Sequence, residues 1–77
     1  MKPQLLDLRE ERCPRALLLA KRHLVSLRAN EIATIYVIEM GSIKDIERYL
    51  INNDYSYQTI ERDGYWRIED IKRDFTG

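Results

Sequence analysis

Of 77 residues, one is cysteine, two are proline and three are glycine. A solitary cysteine forms no internal disulfide and builds no multi-cysteine metal cage, so any redox or sulfur chemistry has to run through Cys13. Long apolar runs are missing too. The longest, Ala16 to Ala20, falls far short of the roughly 20 residues that a membrane-spanning helix needs. Met1-Lys2-Pro3 carries no signal-peptide pattern, and together these absences lead to the expectation of a cytoplasmic protein. No glycine-rich phosphate loop occurs, and Gly41-Ser42 is too short a signal to argue anion binding. The single histidine, His23, is not placed beside Cys13 on a helix wheel. Neither a zinc site nor a catalytic dyad is indicated, and no metal or cofactor is expected.

What is present is one small domain over residues 1–77. A domain of this size buries only about 60% of the surface its unfolded chain exposes, so there is no room for a second core and a deep, water-excluding enzyme cleft is not expected. Thirteen basic residues balance thirteen acidic ones. The balance hides a polarity: residues 1–30 hold seven basic and three acidic side chains, net +4, and residues 31–77 hold six and ten, net −4. Such a dipole suits a directional docking surface, although ordinary surface variation also produces it.

The order of elements reads from periodicity. Leu5-Leu6-Asp7-Leu8 is a short apolar run ending in the charged segment Arg9-Glu10-Glu11-Arg12, which suits a strand and a loop. Pro14 marks a helix entry, since its missing N–H costs nothing at the first helical position, and Cys13 becomes the expected N-cap. Leu17, Ala20, Leu24 and Leu27 then give an apolar stripe over about four turns, closed by Ala29-Asn30. Residues 32–38 are rich in β-branched side chains and read as a central strand. Ser42 is the expected N-cap of a second helix buried through Ile43, Ile46 and Leu50, and Asn52-Asn53-Asp54 ends it. Two further strands, roughly 56–62 and 65–72, flank Asp63-Gly64, the signal for a type I′ hairpin. Pairing Arg62 with Tyr65 puts Tyr57, Thr59, Trp66 and Ile68 on the core face and Ile60, Tyr65 and Arg67 on the other. The expected fold is therefore a two-layer α/β sandwich, β-α-β-α-β-β, with two helices on one face of a four-stranded mixed sheet.

A cysteine at a helix N-terminus meets unpaired backbone N–H groups and the positive end of the helix dipole, which favour anionic sulfur. Arg12 and Arg15 flank Cys13 and would add to that support, whereas Glu10 and Glu11 oppose it. A lone cysteine before proline is more often a packed small hydrophobe than a reactive thiol.

The segment from Leu6 through Asp7, Arg9, Cys13 and Pro14 to Ala16, followed by Lys21-Arg22, resembles the signature of the small sulfur-carrier family that includes TusA, SirA and YedF. That pattern runs Asp-x-Arg-Gly-x-x-Cys-Pro-x-Pro with a later basic pair. Met40-Gly41-Ser42-Ile43-Lys44-Asp45-Ile46 is similar to the family's Asp-Pro-Gly-Ser segment. The resemblance implies that Cys13 accepts sulfane sulfur from a cysteine desulfurase or other donor, holds it as a persulfide, and relays it to a downstream acceptor protein. Such relays serve tRNA thiolation and other sulfur metabolism. It also implies that Pro14 starts the helix and that Asp7 and Arg9 belong to the motif loop. Three positions depart from the pattern: Ala16 for the second proline, Glu10 for the glycine and Met40 for the later proline.

On a helical wheel Arg15, Leu18, Leu19 and Arg22 fall outward, as partner-docking residues would. Tyr36, Tyr65 and Arg67 lie on the sheet face away from the helices, where aromatic platforms can stack bases. No basic groove accompanies them, so direct RNA binding is not expected, nor is binding to DNA or membrane. The alternative function is a non-catalytic protein- or RNA-interaction module with a degenerate carrier site.

Overall fold

Alternation along one short segment sets the two layers. In the computed structural model, which describes residues 4–12, 14–27 and 31–73, strand β2 (Ala33–Val37) buries Ala33, Ile35 and Val37 and leaves Thr34 and Tyr36 half-covered on its other side. The elements run β1 (Gln4–Asp7), α1 (Arg15–Val25), β2, α2 (Met40–Asn52), β3 (Tyr55–Arg62) and β4 (Tyr65–Arg73). The sheet order is β1-β2-β4-β3. β1 lies parallel to β2, and β4 is antiparallel to both β2 and β3. One core joins Ala16, Ala20 and Leu24 of α1, Ile43, Ile46 and Leu50 of α2, and Ile35, Val37, Ile68 and Ile71 of the sheet. The expected α/β sandwich with its four-stranded mixed sheet is what forms.

Several local expectations are revised. α1 spans 11 residues, about three turns, with Pro14 rather than Cys13 in the N-cap position and Ser26 at the C-cap. The Ser26 hydroxyl donates to the His23 carbonyl at 2.6 Å, and Leu27 packs on the core beyond the helix end. Ala29 and Asn30 lie outside the described residues. In α2, Glu39 takes the N-cap position with an extended backbone, which moves Ser42 into the first turn and fully buries it. Asp54 adopts a left-handed φ of 61° after α2, a conformation that Asp tolerates and that ends helices.

The hairpin pairs Arg62 with Tyr65 as expected, but among the described residues of its turn only Gly64, at φ 82°, has a positive φ. A type I′ turn needs it at both central residues, so this turn is of another type. β4 also carries a bulge. Ile68 faces Ile35 and Ile71 faces Ala33, so three steps on β4 match two on β2, and Asp70 takes up the excess at φ 54°. The extra residue resets the alternation and lets both Ile68 and Ile71 face the core.

Candidate functional site

Parallel pairing of β1 with β2 brings the loops that follow both strands to one end of the sheet. The antiparallel register of β4 adds the Asp63-Gly64 turn to the same end, since Val37 pairs with Trp66 and Arg62 with Tyr65. The starts of α1 and α2 therefore share an edge of the molecule.

The β1–α1 loop is anchored before it reaches α1. Leu8 is 1% exposed, and its N–H donates to the Tyr36 carbonyl at 2.8 Å. The Glu11 N–H closes a turn onto the Leu8 carbonyl at 3.0 Å. Between them, the Arg9 backbone N–H donates to Asp7 Oδ1 at 3.1 Å, and the Arg9 guanidinium forks onto both Asp7 oxygens at 2.9 and 2.8 Å. The hydrogen bond from the Arg9 side chain, followed by that from its backbone N–H, holds the Asp7 carboxyl below its ordinary range. The guanidinium also stacks 5.2 Å from the ring centre of Tyr36 and 5.0 Å from that of Tyr65, and these two rings lie 5.2 Å apart. Arg67 approaches Tyr36 at 5.5 Å and pairs with Glu69 at 3.0 Å, its Nε buried with no hydrogen-bond partner among the described residues.

Cys13, on which the sequence reading turns, lies outside the described residues. Its neighbours are defined. The Arg12 carbonyl accepts the Ala16 N–H at 2.8 Å and the Pro14 carbonyl accepts that of Leu18 at 3.1 Å, so helical bonding begins on both sides of position 13. Among the described residues the start of α1 has neither a side-chain cap nor an acidic residue in its first turn, which leaves its positive dipole end uncompensated from within the helix. Arg15 forms an ion pair with Glu11 at 3.2 Å, one that spans Cys13 in sequence. Its charge is thereby engaged, whereas Arg12 is exposed and pairs with no acidic group among the described residues.

The outward face of α1 is narrower than expected. Leu18 is 57% exposed, and Arg15 and Arg22 are exposed with it. Leu19 departs from the expectation and packs half-buried on the core. The buried stripe is Ala16, Ala20 and Leu24, so position 19 sits on its flank and not opposite it. The basic pair divides. Lys21 Nζ lies 5.4 Å over the Tyr49 ring beside a shallow groove of about 210 Å³ between the helices, while Arg22 faces out.

Tyr36, Tyr65 and Arg67 come together on the sheet face away from the helices as expected, and Arg9, expected only in the motif loop, joins them. Their meeting follows from the register: Asp7 pairs with Tyr36 in the parallel β1–β2 pair, which brings a side chain two residues past Asp7 over the rings.

Comparison with protein families matches residues 4–69 to the model described as sulfurtransferase TusA. Among solved structures, the chain is similar to a SirA-like protein from Desulfitobacterium hafniense, with a TM-score of 0.79 and 21% sequence identity over 91% of this chain and 97% of that one. Comparison with curated proteins finds no match.

Proposed function

The chain belongs to the TusA sulfurtransferase family, and from that premise we propose that it carries sulfur on Cys13 between a donor and an acceptor protein. The observation that carries this reading is that the matched region includes the whole of the Cys13-Pro14 segment and the Asp7-to-Arg12 loop leading into it. Cys13 is the one thiol the sequence offers.

In the proposed transfer, the Cys13 thiolate attacks the outer sulfur of a donor persulfide. The donor S–S bond breaks, its cysteine leaves as thiolate, and a new S–S bond forms on Cys13. An acceptor thiolate then attacks the outer sulfur on Cys13 and restores the original thiolate. The transfers balance without an external oxidant. The start of α1, which no described side chain caps, and Arg12, which pairs with no described acid, support the anionic forms on both sides of each step. The donor is a cysteine desulfurase or an enzyme of equivalent chemistry, and the acceptor belongs to tRNA thiolation or another sulfur-requiring route.

Intact-mass spectrometry after incubation with an active cysteine desulfurase and cysteine tests this. A gain of about 32 Da, one sulfur atom, is expected on the wild type and not on Cys13→Ser. No gain on the wild type overturns the proposal.

A further inference from the structure

We propose that Asp7, Arg9, Tyr36 and Tyr65 form a clamp that fixes the course of the β1–α1 loop, which makes Arg9 a positioning residue for sulfur transfer; the second half of this inference rests on the carrier reading of Cys13. The loop has to leave the sheet edge, turn, and deliver the chain to the start of α1. In the related pattern a glycine stands where this chain has Glu10, and glycine makes such a turn easy through its left-handed conformation. Here the turn is made without it. Among the described residues positive φ occurs at Asp54, Gly64 and Asp70, none of them in this loop.

What holds the loop is side-chain chemistry from three strands. Asp7 is on β1, Tyr36 on β2 and Tyr65 on β4, and the Arg9 guanidinium touches all three. An exposed ion pair alone would order little. A planar fork bonded to both carboxylate oxygens and stacked against two rings has one orientation available, and the Arg9 N–H bond to Asp7 ties that orientation to the backbone. Two backbone bonds then carry the restraint onward: Leu8 N–H to the Tyr36 carbonyl, and Glu11 N–H to the Leu8 carbonyl. Arg67 provides an internal control. It also stacks on Tyr36, yet its ion-pair partner is Glu69 on its own strand and it makes no bond to the described residues of the loop.

The experiment compares Arg9→Lys, Tyr65→Leu and Arg67→Lys with the wild type. Lysine keeps the charge at position 9 and loses both the fork and the stacking plane. Amide hydrogen exchange, read by NMR, is expected to accelerate about tenfold at Leu8 and Glu11 in Arg9→Lys, with Ile68 unchanged as the reference for global opening. Tyr65→Leu gives a smaller acceleration at the same two amides, and Arg67→Lys gives none. Sulfur loading from a desulfurase is expected to lose several-fold in maximal rate in Arg9→Lys, with the half-saturating donor concentration unchanged. Unaltered exchange at Leu8 and Glu11 in Arg9→Lys overturns the clamp. Accelerated exchange with an unaltered loading rate overturns the positioning role. A wild type that takes up no sulfur defeats the carrier reading, while the exchange result still decides whether the clamp exists.

Discussion

Asp7 accepts hydrogen bonds from the Arg9 guanidinium at both carboxylate oxygens and from the Arg9 N–H at one of them. Its carboxyl is held below the ordinary range by the Arg9 hydrogen bonds. A carboxyl with a lower pKa in the folded state stabilises that state above the unfolded value, about 3.9, and the contribution is lost as pH falls through the folded value. Because the Asp7 side chain is 47% exposed, solvent screens most of this energy. The consequence is local. Protection of the Glu11 amide is expected to drop as pH falls below about 4, ahead of global unfolding, and Asp7→Asn should remove that step. Hydrogen exchange followed from pH 6 downward checks both. The same scale separates the two arginines around Cys13. Glu11 already occupies Arg15, whereas Arg12 pairs with no described acid, so Arg12→Ala is expected to slow iodoacetamide alkylation of Cys13 at neutral pH more than Arg15→Ala does. Neither substitution should alter folding stability by more than about 0.5 kcal/mol.

At the scale of elements, legibility followed how strongly a segment's pattern excludes the alternatives. In α2 the buried Ile43, Ile46 and Leu50 were readable because they recur at steps of three and four, although Met40 and Ile51 are apolar and exposed and Ser42 is buried with them. The buried stripe of α1 was not. Leu17, Leu18 and Leu19 are consecutive, so composition does not say which of them is covered, and the small Ala16 takes the first buried place because packing selects by position and volume. The helix starts were displaced by one to three residues, since Ser42 offers a capping hydroxyl that tertiary packing buries instead, without a described partner. Of the site, the motif residues Asp7 and Arg9 were visible, but their embrace by Tyr36 and Tyr65 depends on strand register, which the local pattern does not print. The β4 bulge was missed for the same reason: Ile68 and Ile71 break period-two alternation, and Asp70 between them is the residue able to absorb the defect. This yields a sharp expectation. Asp70→Gly should be close to neutral, because glycine adopts positive φ freely, whereas Asp70→Val should cost about 1–3 kcal/mol through strain at φ 54°. Urea denaturation of the two variants distinguishes a true left-handed bulge from a strand that simply pairs out of register.

At the scale of the whole molecule, the described loops after β1 and β2 meet at one edge, and charge is divided unevenly along the chain. Both helix starts and the β3–β4 turn gather there, and the first thirty residues bring net +4 to a chain that is neutral overall. A relay protein has to set its sulfur against another protein's active site, release it, and do so repeatedly, which favours a contact with fast, charge-steered association over a large apolar interface. The exposed face of α1 has that composition, with Leu18 between Arg15 and Arg22 and the buried stripe on the opposite side of the helix. Arg22 has no described acidic partner, so its charge is available to a visitor. Arg22→Glu is therefore expected to raise the half-saturating donor concentration in sulfur loading several-fold at low salt, with the maximal rate retained. The gap from wild type should shrink as salt approaches about 1 M, where the screening length falls to roughly 3 Å. Leu18→Ser should also weaken donor binding, but its effect should not depend on salt, because it removes contact area and leaves the field untouched. If Arg22→Glu loads sulfur with wild-type kinetics at every ionic strength, donors approach from another face, and the neighbouring surface around the exposed Ile38 and Met40 at the start of α2 becomes the next to be tested.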